Sequence, residues 1–170
     1  MAPDSKVAGV YRAPMRSRRD DVPLGVAVER ALTKGLCGFG GALAPPPQDL
    51  DDAIDKATAQ HDERLARRIG RFAEAQEGAW VWTRDVDGWY WLGRLGGAWR
   101  YDASGAAAAA DLTHVRPCRW LGTPVPDSRV PAGVLATFAR GGRNWQQTHS
   151  EGVWEASARV WKAAQSPSST

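Results

Sequence analysis

Five of the nine tryptophans, Trp80, Trp82, Trp89, Trp91 and Trp99, fall in one short stretch whose side chains alternate with period two. That period belongs to β-strands, in which successive side chains point to opposite faces. AWVWTR reads as one strand, DVDG as a turn, and WYWLGRLG as the returning strand of a hairpin. Trp80 and Trp82 share one face of the first strand, opposite Ala79, Val81 and Thr83. In the second strand Trp89, Trp91 and Gly93 share one face, and Tyr90, Leu92 and Arg94 share the other. Both faces of the hairpin therefore carry large rings. One can fill a core, but the other must meet a helix, a partner or solvent.

Further strands follow. Gly96 and Gly97 interrupt the pattern ahead of AWRYD, and DLTHVRPCRWLG supplies a longer strand. Pro117, which lacks a backbone N–H, confines that strand to an edge, an end or a bulge. GAAAAAD at 105–111 reads equally as a helical turn or a loop. VPAGVLATF at 130–138 reads as a brief helix, NWQQTH as a terminal strand, and 151–164 as a last helix packing back through Val153, Trp154, Val160 and Trp161. These elements describe a small, strongly curved barrel over 76–149, a C-terminal helix at 150–164, and a disordered tail at 165–170.

Upstream the pattern is helical. Residues 22–75 form an elaboration with a short helix at 23–32, a Gly/Pro-rich connection at 35–47, and a helical region from Asp49 to Ala75 with a break near His61. Asp49, Asp51 and Asp52 suit the positive end of a helix dipole. Arg64, Arg67, Arg68 and Arg71 recur at three- and four-residue spacing along one side. Such a stripe reads as a phosphate contact or as a solvated face paired with Asp62, Glu63 and Glu74. Residues 1–21 form a polar arm with the basic run Arg16, Arg18 and Arg19. It is flexible, or extended and tied down by Val10 and Tyr11.

Net charge is +3, from 22 basic and 19 acidic residues spread without long runs of one sign. An electrostatic anchor for DNA, RNA or membrane would therefore have to be assembled by folding. Cys37 and Cys118 lie far apart without zinc spacing, and are expected to be reduced, buried thiols. The N-terminus lacks the apolar run of a signal peptide, and no eighteen consecutive apolar residues occur. A cytoplasmic protein with no membrane partner is expected.

Catalytic chemistry finds little support. His61, His114 and His149 fall in different elements. Four residues apart on a strand, His114 and Cys118 would sit about 13 Å apart, too far for a nucleophile and its base. Asp85 and Asp87 fit turn roles. The glycines at 35–41 lack the lysine and hydroxyl residue that end a phosphate-binding loop. No HExxH, G-x-S-x-G or PD-(D/E)xK pattern is present. No catalytic residue, metal ligand or cofactor is assigned. Interleaved arginines and rings instead suit binding, by stacking bases or contacting phosphates. The candidate ligand-binding set is Arg84, Trp89, Trp91, Arg94, Trp99, Arg100, Arg116 and Arg119.

The stretches GAWVWTRDVDGWYWLGRLGGAWRYD, THVRPCRWLG and VPAGVLATFARGGRNWQQTH together resemble a bacterial SH3-like barrel module, found alone or attached to restriction- and defence-associated proteins. Trp82, Thr83, Arg84, Tyr90, Leu92, Gly93, Arg94, Trp99, Arg100 and Tyr101 fit its hairpin motif, and Val115, Arg116, Pro117 and Trp120 fit its next strand. Ala79 stands where the motif has Asp, and Cys118 where it has an aliphatic residue. GLCGFGGAL resembles a glycine-rich lead-in of standalone members. The resemblance covers about half the chain and implies a defence association without implying catalytic residues. The combined expectation is an α+β protein: a small SH3-like β-barrel with an N-terminal helical elaboration and a short C-terminal helix. Its expected function is non-catalytic nucleic-acid recognition, on DNA or RNA. The alternatives are a protein-interaction adaptor using exposed aromatics, and a small toxin-like enzyme using His114, Arg116 and nearby acids.

Overall fold

The computed structural model describes residues 8–165, so the first third of the arm and the expected tail beyond Gln165 lie outside the described residues. The hairpin forms as its alternation requires. β3 (Trp80–Arg84) and β4 (Tyr90–Leu95) pair antiparallel, with Trp80 opposite Arg94 and Trp82 opposite Leu92. Asp85 closes the turn: its Oδ1 accepts the N–H groups of Asp87 and Trp89 at 3.0 and 2.9 Å. Gly88 supplies the positive φ of 92° that the turn needs.

β4 then bends at Gly96–Gly97 into the two-residue β5 (Arg100–Tyr101). Both halves run along the same side of β6 (His114–Trp120), β4 against Cys118–Trp120 and β5 against His114–Val115. Pro117 lies at the join. The Cys118 N–H donates to Gly35 O on the other side of the strand, so alternation turns the missing Pro117 donor toward the bend. There Gly96 donates to the Pro117 carbonyl instead. The proline thus occupies an inner strand, at the one point where the ladder is interrupted.

Two strands come from outside the expected barrel range. β2 (Leu36–Phe39) pairs along the far side of β6, inside the stretch expected to be only a connection. The two backbones approach so closely that a Cβ at Gly38 would collide with the His114 carbonyl. β1 (Val10–Arg12) lies parallel to β3, so the arm residues Val10 and Tyr11 are tied into the sheet. The two-residue β7 (Gln146–Gln147) adds to β1. The resulting order is β2-β6-β4-β3-β1-β7, with β5 also on β6. This is a curled, open half-barrel, mostly antiparallel, within an α+β fold.

Helices cover both faces. α1 (Val26–Lys34), α2 (Leu50–Gln60) and α3 (Glu63–Glu74) pack on the face formed by Val81, Leu95, Val115 and Cys118. The break between α2 and α3 has a local cause. Asp49 caps α2 through the Asp52 N–H, and Asp62 caps α3 through the Leu65 N–H, both at 2.8 Å. His61 stands between them. α4 (Gly105–Ala110) resolves the polyalanine stretch as a short helix, capped by Ser104.

The opposite face, with Trp80, Trp82, Tyr90 and Leu92, is closed by α5 (Ala132–Ala139) and α6 (Val153–Gln165). Trp80 packs against Trp154 and Trp161, at centroid distances of 6.1 and 5.4 Å. The fully buried Trp82 donates its indole N–H to Ser157 Oγ at 3.0 Å. The hairpin face that carries Trp80, Trp82 and Tyr90 therefore meets helices. No helix among the described residues is long and apolar enough to cross a membrane.

Arg116 joins the layers. Its Nη1 donates to the carbonyls of Phe72 and Ala75, at 2.8 and 2.6 Å, at the C-terminal end of α3. Its Nε is shared between Gly96 O and Gly97 O at the β4–β5 bend. Replacing this side chain with an apolar one of similar length leaves buried carbonyls without donors, at about 1–3 kcal/mol for the unsatisfied groups. Arg116→Met is expected to lower the urea midpoint with the slope unchanged. An unaltered midpoint would show that the α3 end holds its position without the guanidinium.

Candidate functional site

The structure scatters the eight arginine and tryptophan candidates over several environments. Arg84, Trp89 and Trp91 surround the β3–β4 turn. Arg84 lies 5.3 Å from the Tyr90 ring centre, and Trp91 donates its indole N–H to Asp85 Oδ2 at 2.9 Å. Trp89 is 52% exposed, the most open large ring in the set. Arg94 and Arg119 are cross-strand partners over the α6 cluster, 4.9 Å from the Trp80 ring and 5.8 Å from the Trp161 ring respectively. They shield apolar rings with their stems and heads. Arg100 is exposed on β5. Trp99 turns inward to His114. Arg116 is 3% exposed, with its guanidinium committed to carbonyls, so it is placed in the interior and not on a binding surface.

A different set of residues converges. A groove of about 660 Å³ lies between α3 and the segment around β7. One wall is the arginine stripe: Leu65, Ile69 and Phe72 are buried in the core, which turns Arg64, Arg67, Arg68 and Arg71 toward the groove. The other wall is Asn144, Gln146, Gln147 and His149, and Tyr11 and Trp145 also line the groove. Tyr11 and Trp145 stack at 4.2 Å and 10°. None of the eight hairpin and strand candidates lines this groove.

Its charge is one-sided. Glu74 is the sole carboxylate in the lining, and the stripe makes one ion pair, Arg67 to Glu63 at 3.5 Å on exposed side chains. Such a pair contributes little in water. Arg64, Arg68 and Arg71 make no close ion pair among the described residues, although the Asp62 carboxylate acts on Arg64 and Arg68 at longer range. Arg68 lies half-buried over the Phe39 ring, where burial lowers its pKa and nearby Arg18 adds to the effect. Arg18 itself reaches across from the arm to donate to Asn144 Oδ1 at 2.7 Å.

A buried guanidinium holds the far wall. Arg12 Nη1 donates to the carbonyls of Thr137 and Gly141 at 2.9 and 3.0 Å. Its Nη2 donates to Gln146 Oε1 at 2.8 Å and to Asn144 O at 3.3 Å. The arginine stripe is legible as helical spacing. The residues opposite it carry no sequence signal, because only the fold brings the β7 segment beside α3.

His114 and the cysteines are interior groups. The indole of Trp99 can only donate, so His114 Nδ1 accepts its N–H at 3.3 Å. The ring proton therefore sits on Nε2 and is donated to Gly41 O at 2.8 Å. Burial lowers the His114 pKa to about 4, and His61 adds to this. Both nitrogens are occupied, and the Arg116 named beside it in the enzyme alternative is tied up as well. Cys37 and Cys118 are free and buried, and burial pushes the Cys37 thiol up to about 12 and the Cys118 thiol upward. Among the described residues, no group of three or more His, Cys, Asp or Glu is placed to hold a metal ion.

Two outcomes follow from these interior groups. The unfolded chain protonates His114 near 6.5 and the folded chain only near 4. The stabilisation is therefore complete above about pH 6.5 and is lost as the pH falls toward about 4, by on the order of 3 kcal/mol. Urea midpoints near neutral pH and near about pH 4.5 should differ less in His114→Gln than in the parent. An equal difference in both would assign the acid sensitivity to other groups. The thiols, in turn, should react with an aromatic disulfide reagent only after denaturation, whereas rapid labelling of the native protein would contradict their burial.

The chain matches no protein-family model and no curated protein.

Proposed function

We propose that this protein is a non-catalytic nucleic-acid recognition module whose phosphate contacts come from the groove between α3 and β7. The observation that carries this reading is the convergence of Arg64, Arg67, Arg68 and Arg71 on one groove wall with a single carboxylate in the lining. Guanidinium groups suit phosphate oxygens through their planar array of donors. The lining also holds a stacked Tyr–Trp pair and a row of amides, the companions that base recognition uses. The site expected on the hairpin is thereby reassigned in this proposal to the helix stripe. The SH3-like character and the link to bacterial defence rest on the sequence resemblance. The strong β4–β5 bend along one long β6 is in keeping with such a barrel. We place the protein in the cytoplasm, in keeping with its two free thiols.

A protein-adaptor reading has its own observation. Leu24 and Val86 are 66% and 60% exposed and line one cleft with Pro14, Met15 and Phe138, near the exposed Trp89. Salt separates the two readings. Phosphate contacts predict a logarithmic fall of affinity with salt, while apolar docking predicts a weak dependence.

Fluorescence anisotropy with labelled DNA and RNA, single- and double-stranded, across a salt series tests the proposal. Replacing both Arg64 and Arg71 with Ala should weaken binding to every sequence and lower the salt slope by about 1.4 for single strands. The Trp89→Ala, Arg94→Ala double variant should bind as the parent does. The reverse pattern returns the site to the hairpin, and the absence of binding at low salt by folded protein overturns the nucleic-acid reading.

A further inference from the structure

The groove wall opposite the arginines has a chemistry that narrows the ligand. Arginine has donors and no acceptor, so an amide that bonds to it must present its oxygen. Arg18 takes the Asn144 side-chain oxygen at 2.7 Å, and Arg12 takes that of Gln146 at 2.8 Å. Each amide is left with its NH₂ group to offer. Trp145 also lines the groove, but through its ring, since its indole N–H is buried. Apart from Gln147 and His149, the amides on this side of the groove therefore offer donors, facing the arginines of α3, with Glu74 the one carboxylate in the lining.

Its shape excludes a common alternative. A helix that reads duplex DNA must protrude into a major groove roughly 12 Å wide. α3 is recessed: its apolar side is packed on the sheet, and the β7 segment faces its arginines. A volume of about 660 Å³ lies in the range of roughly 300–1,000 Å³ that encloses small ligands, and a duplex does not fit inside it. From Arg64 to Arg71 the helix rises about 10 Å. That matches about three phosphates of a stacked strand at roughly 3.4 Å each.

We propose that the groove binds a single strand, phosphates on the α3 arginines, with preference for bases that present carbonyl oxygens to the amides of Asn144 and Gln146. Thymine and uracil are the chemical class that fits, since they alone present carbonyl oxygens without an exocyclic amino group, whereas adenine, cytosine and guanine each carry one that a wall of donors repels. This inference rests on reading the groove as a nucleic-acid site.

The test is anisotropy at one salt concentration with labelled oligo-dT, oligo-dA, oligo-dC and the dA·dT duplex of the same length, with poly-glutamate as competitor. Oligo-dT is expected to bind at least about tenfold more tightly than the duplex, and several-fold more tightly than oligo-dA or oligo-dC. Asn144→Asp keeps an acceptor for Arg18 but removes the free N–H donors. The added charge weakens all strands together, so the readout is the ratio of dT to dA affinity, which should fall toward one. Arg64→Ala reports separately on the phosphate wall. Duplex binding as tight as oligo-dT, or equal dT and dA affinities in the parent, overturns the single-strand inference and leaves the broader reading in place if Arg64→Ala still weakens binding. Competition by poly-glutamate as effective as by oligo-dT shows a generic anion groove and overturns the base preference. Failure of every strand to bind folded protein overturns both.

Discussion

Two arginines buried without carboxylates hold the candidate site in shape. Arg116 ties the C-terminal carbonyls of α3 to the β4–β5 bend, and Arg12 ties the α5 end and the Asn144–Gln146 segment to β1. One sets the position of the arginine-bearing wall and the other that of the amide wall. Burying a guanidinium is costly unless its donors are met, and each of these meets several oxygens. A lysine could not replace either one, because its single ammonium cannot span carbonyls that diverge in this way. The groove thus inherits its width from interior bonds far more than from its own lining.

The tryptophans serve chiefly as packing. Trp80 and Trp82 anchor α6 to the sheet, Trp145 stacks on Tyr11 and meets Phe72 edge-on, and Trp99 orders His114. Edge-on and offset ring pairs add about 0.5–1.5 kcal/mol each beyond the area they bury. Short strands need this. β5 and β7 have two residues each and contribute few ladder bonds, so the sheet relies on rings and helices pressed against its faces. Arg94 and Arg119 cover the α6 cluster from outside, which accounts for the arginine–aromatic interleaving without a ligand.

Local chemistry explains which elements could be read in advance. The β3–β4 hairpin follows from strict alternation and from Asp85, whose side chain closes its own turn. The α2–α3 break follows from Asp49 and Asp62, each able to cap a helix. β2 was not legible, because LCGF is short, lacks alternation and contains the glycine that its close contact with β6 requires. Pro117 argued for an edge, an end or a bulge, yet it lies within an inner strand, because the bend at Gly96–Gly97 removes the partner that a proline cannot serve. The arginine stripe was visible in full, but whether it faced water or a second wall was not.

The sequence by itself determined periodicity, turns and caps, since each depends on residues within a few positions of one another. It also determined that the hairpin would carry rings on both faces and that α3 would carry arginines along one side. Only the tertiary structure decided that α6 closes the Trp80–Trp82 face and that the sheet stays open between β2 and β7. It alone buried Arg116 while leaving Arg64, Arg68 and Arg71 lining a groove. All of these are arginines in polar-looking patterns. Their different environments come from long-range packing, which sets the carbonyls, rings or opposing wall that each guanidinium meets.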